Sequence, residues 1–308
     1  MRRDKGCPAA QGGVAIVLAM GIVALAAVAA AAILTAQSTW ARRVELGSDK
    51  IQAGVLARAG IDWARAVLGD DARASSIDHL GEPWALRLSP IPIDNGSLDG
   101  YIEDQQGKFN LNNLLRDGAV DSRQMACLRR LLAGVQLSES LADNLAEWMH
   151  AEGGADGMEG DYHPVRGVPR RVAGRALTDL AELALVAGFG RDVRERLRPF
   201  VSALPVVTPV NVNTASAEVL SSVVDGLGID GARAVVVARE RAYFRDRADF
   251  VSRLPRGALP AEDSVVAVRS DYFLARARVT MGRAEATGTA LLARQGQGWP
   301  MIVWYKAL

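Results

Sequence analysis

"GGVAIVLAMGIVALAAVAAAAIL", residues 12–34, decides how the rest of this 308-residue chain is read. No charged residue occurs between Lys5 and Arg42. As a helix, positions 14–36 would span roughly 35 Å, enough for the hydrocarbon core of a bilayer. Arg2, Arg3 and Lys5 precede the run. The N-terminus is therefore expected to stay in the cytoplasm and the remainder to be exported, with Arg42 and Arg43 opposing this weakly. A secretory signal has an apolar region of only about 7–15 residues before a small-x-small cut. Here the run is longer and the helical pattern continues past it. "QSTWARRVELGSDKIQAGVLARAGIDWARAVL" (37–68) carries Val44, Ile51, Val55, Ile61, Ala64 and Leu68 near helical spacing. One helix from 14 to 68 would be about 80 Å long. Its first half would be apolar all round and its second half amphipathic, a membrane spike whose far half is gripped by a globular head.

Composition narrows the function classes. The chain has 36 basic and 35 acidic residues, so no whole-chain charge favours nucleic acid or an acidic substrate. Two cysteines, Cys7 and Cys127, imply no disulfide framework. His79, His150 and His163 form no cluster in sequence. There is no Walker loop, G-x-S-x-G or H-E-x-x-H, and no spacing singles out a catalytic Ser, His or Asp. A non-enzymatic protein is expected.

Beyond the helix, residues 70–96 are turn-rich, with Pro83, Pro90 and Pro92. Short strands are expected at 85–88 and 98–104, then a turn at Gln106-Gly107 and a helix start capped by Asn110 or Asn112. From about 112 to 265 the pattern is helical, with segments at 121–134, 138–150, 177–187, 191–203, 215–226, 231–242 and 246–253. Residues 271–308 change period and read as three closing strands, since "YFLARARVTM" alternates apolar with polar positions. "FNLNNLL" (109–115) and "VNVNTAS" (210–216) repeat an apolar-Asn-apolar-Asn pattern ahead of a helix. A recurring Asn cap is sufficient to explain that repeat.

A polar basic leader ending in glycine, followed by an uncharged helix that turns amphipathic, resembles type IV pilin-like precursors. Four features together resemble one family, the minor pseudopilin K of the type II secretion system, also called general secretion pathway protein K. They are the pilin-like N-terminus with Leu18 at the fifth mature position, "LARAGIDWA" (56–64), "DQQGKFNLNNLL" (104–115) and "PVNVNTAS" (209–216). Their order agrees over nearly the whole chain. The resemblance implies an α+β, type IV pilin-like fold: a long N-terminal helix and a small antiparallel sheet, with a large α-helical domain inserted. The expected organisation is a prepilin leader at 1–13 and a transmembrane and assembly helix at 14–70. A pilin-like β region follows at 71–109 and 266–308, with the inserted domain at 110–265. Its second unit, about 209–265, resembles a helix-hairpin-helix.

The same resemblance implies cleavage by prepilin peptidase between Gly13 and Val14, N-methylation of Val14, and a periplasmic C-terminal domain held at the inner membrane by one span. It implies assembly with minor pseudopilins I and J into a pseudopilus tip complex that starts pseudopilus growth for protein transport across the outer membrane. Exported substrates are possible further partners. In pilins the fifth-position glutamate is thought to neutralise the α-amino group of the subunit above. Leu18 offers no carboxylate, and a buried unpaired charge is costly, so a place with no subunit above is expected.

The loop "EWMHAEGGADGMEGDYHPV" (147–165) is the candidate metal site. It clusters Glu147, Glu152, Asp156, Glu159 and Asp161 among glycines, and Ca²⁺ takes six to eight oxygens from flexible loops. The resemblance implies calcium in this region, with Glu159 and Asp161 carrying over; Glu152 and Asp156 are further candidate ligands from the carboxylate cluster itself. Met149, His150 and Gly160 stand where the family has acids. A solvated acidic loop is the alternative. Zinc between His150 and His163 is disfavoured by their spacing. Cys127, in "MACLRRLL", reads as a buried small apolar residue. The second function class is a pilin-like DNA-uptake or adhesion factor using the helix-hairpin-helix unit. There the hairpin is read as Gly228-Ile229-Asp230, whose aspartate would repel a phosphate, and the basic residues Arg233, Arg239, Arg241, Arg245 and Arg247 alternate with acids. No nucleic-acid partner is expected.

Overall fold

A computed structural model describes residues 12–150, 174–294, 296 and 298–308. Helix α1 runs unbroken over Gly12–Ala74, 63 residues or about 95 Å. Ala, Leu and other straight-chain residues favour helix through this span, and no proline interrupts it. Residues 15–48 are exposed along their whole length. The window of highest hydropathy in this helix averages 2.8, so α1 is long and apolar enough to cross a membrane.

The far half of α1 lies across a five-stranded antiparallel sheet. Strands β1 (Leu88–Ile93), β2 (Gly96–Asp104), β3 (Tyr272–Met281), β4 (Ala284–Ala293) and β5 (Met301–Ala307) lie in that spatial order. Tight hairpins join β1 to β2 through Asn95 and β3 to β4 through Gly282, both at positive φ. Along β3, Phe273, Ala275, Ala277, Val279 and Met281 point inward and alternate with Leu274, Arg276, Arg278 and Thr280. Ala53, Ala57, Ile61, Ala64 and Leu68 of α1 meet that inner face. Small residues let the two layers approach closely. A Cβ at Gly60 would stand 2.6 Å from the Cβ of Ala277. Trp84 closes the end of this core, edge-on to Phe273 at 5.1 Å between ring centroids.

Between β2 and β3 the chain leaves the sheet and builds a helical domain with its own core, centred on Phe109, Leu128, Leu145, Leu197, Val219 and Phe250. Helices α2 (Ser122–Gly134), α3 (Ser140–Met149) and α4 (Arg191–Leu197) form its first unit. Helices α5 (Ala217–Val223), α6 (Gly228–Arg241) and α7 (Arg247–Ser252) form the second. The side chains of Asp121, Ser216 and Asp246 cap α2, α5 and α7, each accepting from backbone N–H groups of the first turn. The asparagine repeat has a structural counterpart. Phe109–Asn110 pairs in parallel with Val201–Ser202, and Val210–Asn211 pairs in parallel with Val266–Ala267. Each unit thus opens on an apolar-Asn strand and is closed by a parallel partner.

Several local expectations change. Asn110 caps a 3-10 turn, Leu111–Leu114, rather than an α-helix. The strand expected at 85–88 is replaced by a 3-10 turn at Pro83–Ala85, because proline at the first position presets φ for a turn. The strand itself begins at Leu88. The segment around 177–187 is a 3-10 turn, Leu180–Leu185. The helix expected to reach 203 stops at Leu197, two residues before Pro199, which has no N–H to continue the i→i−4 ladder. Val44, Ile51 and Val55 are exposed, with Ile51 at 71%. The helix buries instead the roughly opposite face, which carries Ala53 and Ala57. Alanines lie beneath the hydropathy signal of the bulkier residues, and close packing on the sheet selects them.

Candidate functional site

Helix α1 presents two apolar faces beyond the membrane-length segment at residues 14–36. One is buried on the sheet. The other carries Trp40, Val44, Ile51 and Val55, all exposed. With 100° per residue these four positions fall within about 60° of one another, roughly opposite the buried face. Such a stripe is open to helical partners of matching apolar character. Gly13 and Val14 lie in the first turn of α1. Leu18 is 66% exposed and makes no contact with the head. Residues 1–11 of the expected leader lie outside the described residues.

The candidate calcium ligands Glu152, Asp156, Glu159 and Asp161 also lie outside the described residues. Their flanks are placed. The backbone N–H of Gly174 donates to the carbonyl of Trp148 at 3.3 Å, bringing the two ends of the segment together at the end of α3. Glu147 and His150 are exposed there. The donor chemistry of this stretch, carboxylates between glycines, fits a hard cation.

A set of polar residues that sequence reading missed sits where the helical domain joins the head. Asp71 lies in the last turn of α1, Asp78 and Glu82 follow the helix, Asp104 ends β2, and Arg294 directly follows β4. Arg294 donates from Nη1 to Asp71 at 2.8 Å and from Nη2 to both oxygens of Asp78 at 2.6 and 2.5 Å. Among the described residues Asp71, Asp78 and Glu82 are the one group of three carboxylates close enough to share an ion, and the Arg294 guanidinium already engages two of them. Asn211 reaches in from the second helical unit and donates from Nδ2 to the Asp78 carbonyl, Asp104 Oδ2 and Ser270 Oγ. The apolar-Asn-apolar-Asn repeat was the sequence signal for Asn211. Nothing local marks the other five, whose partners lie up to 223 residues away.

The helix-hairpin-helix reading needs one correction. The turn between α5 and α6 is Gly226-Leu227-Gly228, with φ of 73° and 61° at the two glycines, and Gly228-Ile229-Asp230 is already the first turn of α6. The hairpin is therefore Gly-apolar-Gly, and Asp230 is exposed beside it, paired with Arg233. The basic set is smaller than it looked. Arg239 is buried and donates to the carbonyls of Val212 and Ala215, with burial lowering its affinity for a proton to a pKa of about 10. Arg245 pairs with Asp249. Cys127 is buried, and burial pushes its thiol up to about 11.

The same arrangement recurs among known proteins. Family profiles described as "Type II secretion system (T2SS), protein K" match residues 107–206 and 210–269. The boundary between them falls between the two asparagine-led units. Type II secretion system protein K of Pseudomonas aeruginosa is 34% identical over 304 residues, covering 94% of this chain and 90% of the relative. This chain belongs to the type II secretion system protein K family. The Klebsiella pneumoniae member is 27% identical and covers 95% of each chain. The crystal structure of the GspK-GspI-GspJ complex from enterotoxigenic Escherichia coli contains a chain with the same fold, at a TM-score of 0.70 and 22% identity. It spans 86% of this chain and 99% of that one. The family membership accounts for the long helix, the small sheet and the helical insertion as one architecture.

Proposed function

We propose that this chain is a non-enzymatic structural subunit, the minor pseudopilin K that joins minor pseudopilins I and J at the tip of a pseudopilus. The observation that carries this is the second apolar face of α1, Trp40, Val44, Ile51 and Val55, left open on a helix already held to its own head. The K–I–J complex of the Escherichia coli relative supports the choice of partners. In this reading, prepilin peptidase cuts after Gly13 and Val14 becomes the methylated terminus. Residues 14–36 span the inner membrane and the head lies in the periplasm. Leu18, lacking a carboxylate for the amino group of a subunit above, suits the uppermost place. The bulky head, enlarged by the helical insertion, would also block addition of a subunit above.

The test is co-purification of the full chain, solubilised from membranes, with tagged minor pseudopilins I and J of the same organism. A stable three-component complex is expected. Recovery of the chain alone, with I and J pairing without it, would refute the assignment. Gly13→Ala is expected to abolish processing and secretion together. We also propose calcium bound by Glu152, Asp156, Glu159 and Asp161. Equilibrium calcium binding to the intact chain measures this, and no uptake at millimolar calcium removes it.

A further inference from the structure

We propose that the joint between head and helical domain is a proton-operated lock, tight in mildly acidic surroundings and looser at neutral pH. The chain crosses this joint at the exit from β2 and at the return into β3. Both crossings are tied by backbone and side-chain hydrogen bonds. Gln105 N–H donates to the Tyr272 carbonyl, Asn211 N–H donates to the Gln106 carbonyl, and Asp271 N–H donates to Gln106 Oε1 at 2.6 Å. Ser270 N–H donates to Asp78 Oδ2 at 2.7 Å. At the centre, Asp104 Oδ2 accepts from the hydroxyls of Thr214 and Ser270 at 2.5 and 2.7 Å and from Asn211 at 3.1 Å.

The charges do not balance. Among the described residues, Asp71, Asp78 and Glu82 cluster beside one guanidinium, that of Arg294, while the Asp104 carboxylate accepts only from neutral donors, Thr214, Ser270, Asn211 and the Gln106 N–H. Every other charged neighbour is at the rim or already engaged. Arg269 pairs with Asp271, and Lys108 with Glu103. His79 stacks on Tyr243 of the helical domain and accepts from Gly81 N–H. Glu82 accepts from Trp84 Nε1 and from the His79 N–H. Removing several like charges from water with one counter-ion is unfavourable, and taking up a proton relieves it. Burial raises Asp104 to about 6, and burial followed by the Glu82 and Asp78 charges raises Asp71 to about 6. The geometry accommodates the proton. Thr214 Oγ1 has a second acceptor, the Asn211 carbonyl at 3.4 Å. When Asp104 Oδ2 is protonated, its O–H donates to Thr214 Oγ1, and the threonine hydrogen turns to that carbonyl.

The sign follows from linkage. Both carboxyls bind a proton more tightly folded than unfolded, so closure gains as pH falls through about 6 and the gain is complete near the unfolded value of 3.8. Between pH 7.5 and 5 the opening equilibrium should fall about tenfold for each carboxyl.

Hydrogen exchange on the full chain in detergent reads this directly. Amides of Asp78, Gln105, Asn211, Ser270 and Asp271 are followed at pH 5 and 7.5, with rates corrected for intrinsic exchange. Protection at these sites is expected to rise at least tenfold at pH 5, while amides in the core of α2 change less. Asp71→Asn should roughly halve the logarithmic gain, and Asp71→Asn with Asp104→Asn should abolish it. Protection that is equal at both pH values, or higher at 7.5, overturns the proposal. So does an undiminished pH dependence in Asp71→Asn, a substitution that leaves the hydrogen bonds of Asp104 in place.

Discussion

Gly60→Ala tests the packing of α1 on the sheet through two opposed effects whose sizes can be compared. Inside a helix, alanine is favoured over glycine by about 0.8–1 kcal/mol. At an open helical position that gain would appear as added stability. At Gly60 the new methyl would stand 2.6 Å from Ala277 Cβ, well inside an ordinary contact of 3.4–4 Å. Neither carbon can rotate away, because both are fixed to backbone. Helix and sheet must separate by nearly an ångström (about 0.8 Å) over a core that is otherwise close-packed. Overpacking of this kind costs about 1–3 kcal/mol, and with rigid partners the upper part of that range applies. The net effect is a loss of about 1–2 kcal/mol. For a unit of this size that lowers the midpoint of thermal unfolding by about 2–8 °C. The same helix supplies the control. At Gly54 nothing lies within 4 Å of the place a methyl would take, so Gly54→Ala should raise the midpoint by about 2–4 °C. Circular dichroism melting of the detergent-solubilised chain at fixed scan rate measures both. Ala277→Gly, added to Gly60→Ala, should recover part of the loss, with a coupling of at least about 1 kcal/mol. A rise for Gly60→Ala matching that of Gly54→Ala would refute the close approach of helix and sheet.

Three further outcomes follow from the same contacts. Asn211→Ala removes a buried side chain that donates to three groups and accepts from Asn213 N–H, and should destabilise by about 3–4 kcal/mol in the same melt. In a Cys7→Ser background, Cys127 should resist alkylation by iodoacetamide at pH 8, since the buried thiol is held near 11; labelling should require unfolding by denaturant, and rapid labelling of the folded chain would contradict its burial. Gly226→Ala places a methyl 2.9 Å from the Gly257 carbonyl at a φ of 73°, and should cost about 1–3 kcal/mol and raise exchange at the α5–α6 hairpin.

Much of this architecture is local in origin, and so legible in the sequence. An uncharged run longer than a bilayer, continued by helical spacing without proline, dictates α1. Period-2 alternation in "YFLARARVTM" dictates β3, and cap residues such as Asp121 and Asp246 mark where helices begin. The asparagine pattern announced two related units because an Asn side chain that bonds its own backbone acts within three residues. Tertiary structure decided what no local rule encodes. Which face of α1 is buried depended on the close approach of a sheet made from both ends of the head, an approach that rewards Ala53, Ala57 and Gly60 over the bulkier Ile51 and Val55. The hairpin's register moved to Gly226-Leu227-Gly228 because Val224-Asp225 pairs with Leu259-Pro260, a partner more than thirty residues on. The lock at the domain joint is the furthest from local rules. Asp71, Asp78, Asp104 and Arg294 are unremarkable surface-type residues in sequence, and only the return of the chain from the helical domain to the sheet brings them, with Asn211, into one desolvated cluster, where burial changes what their charges do.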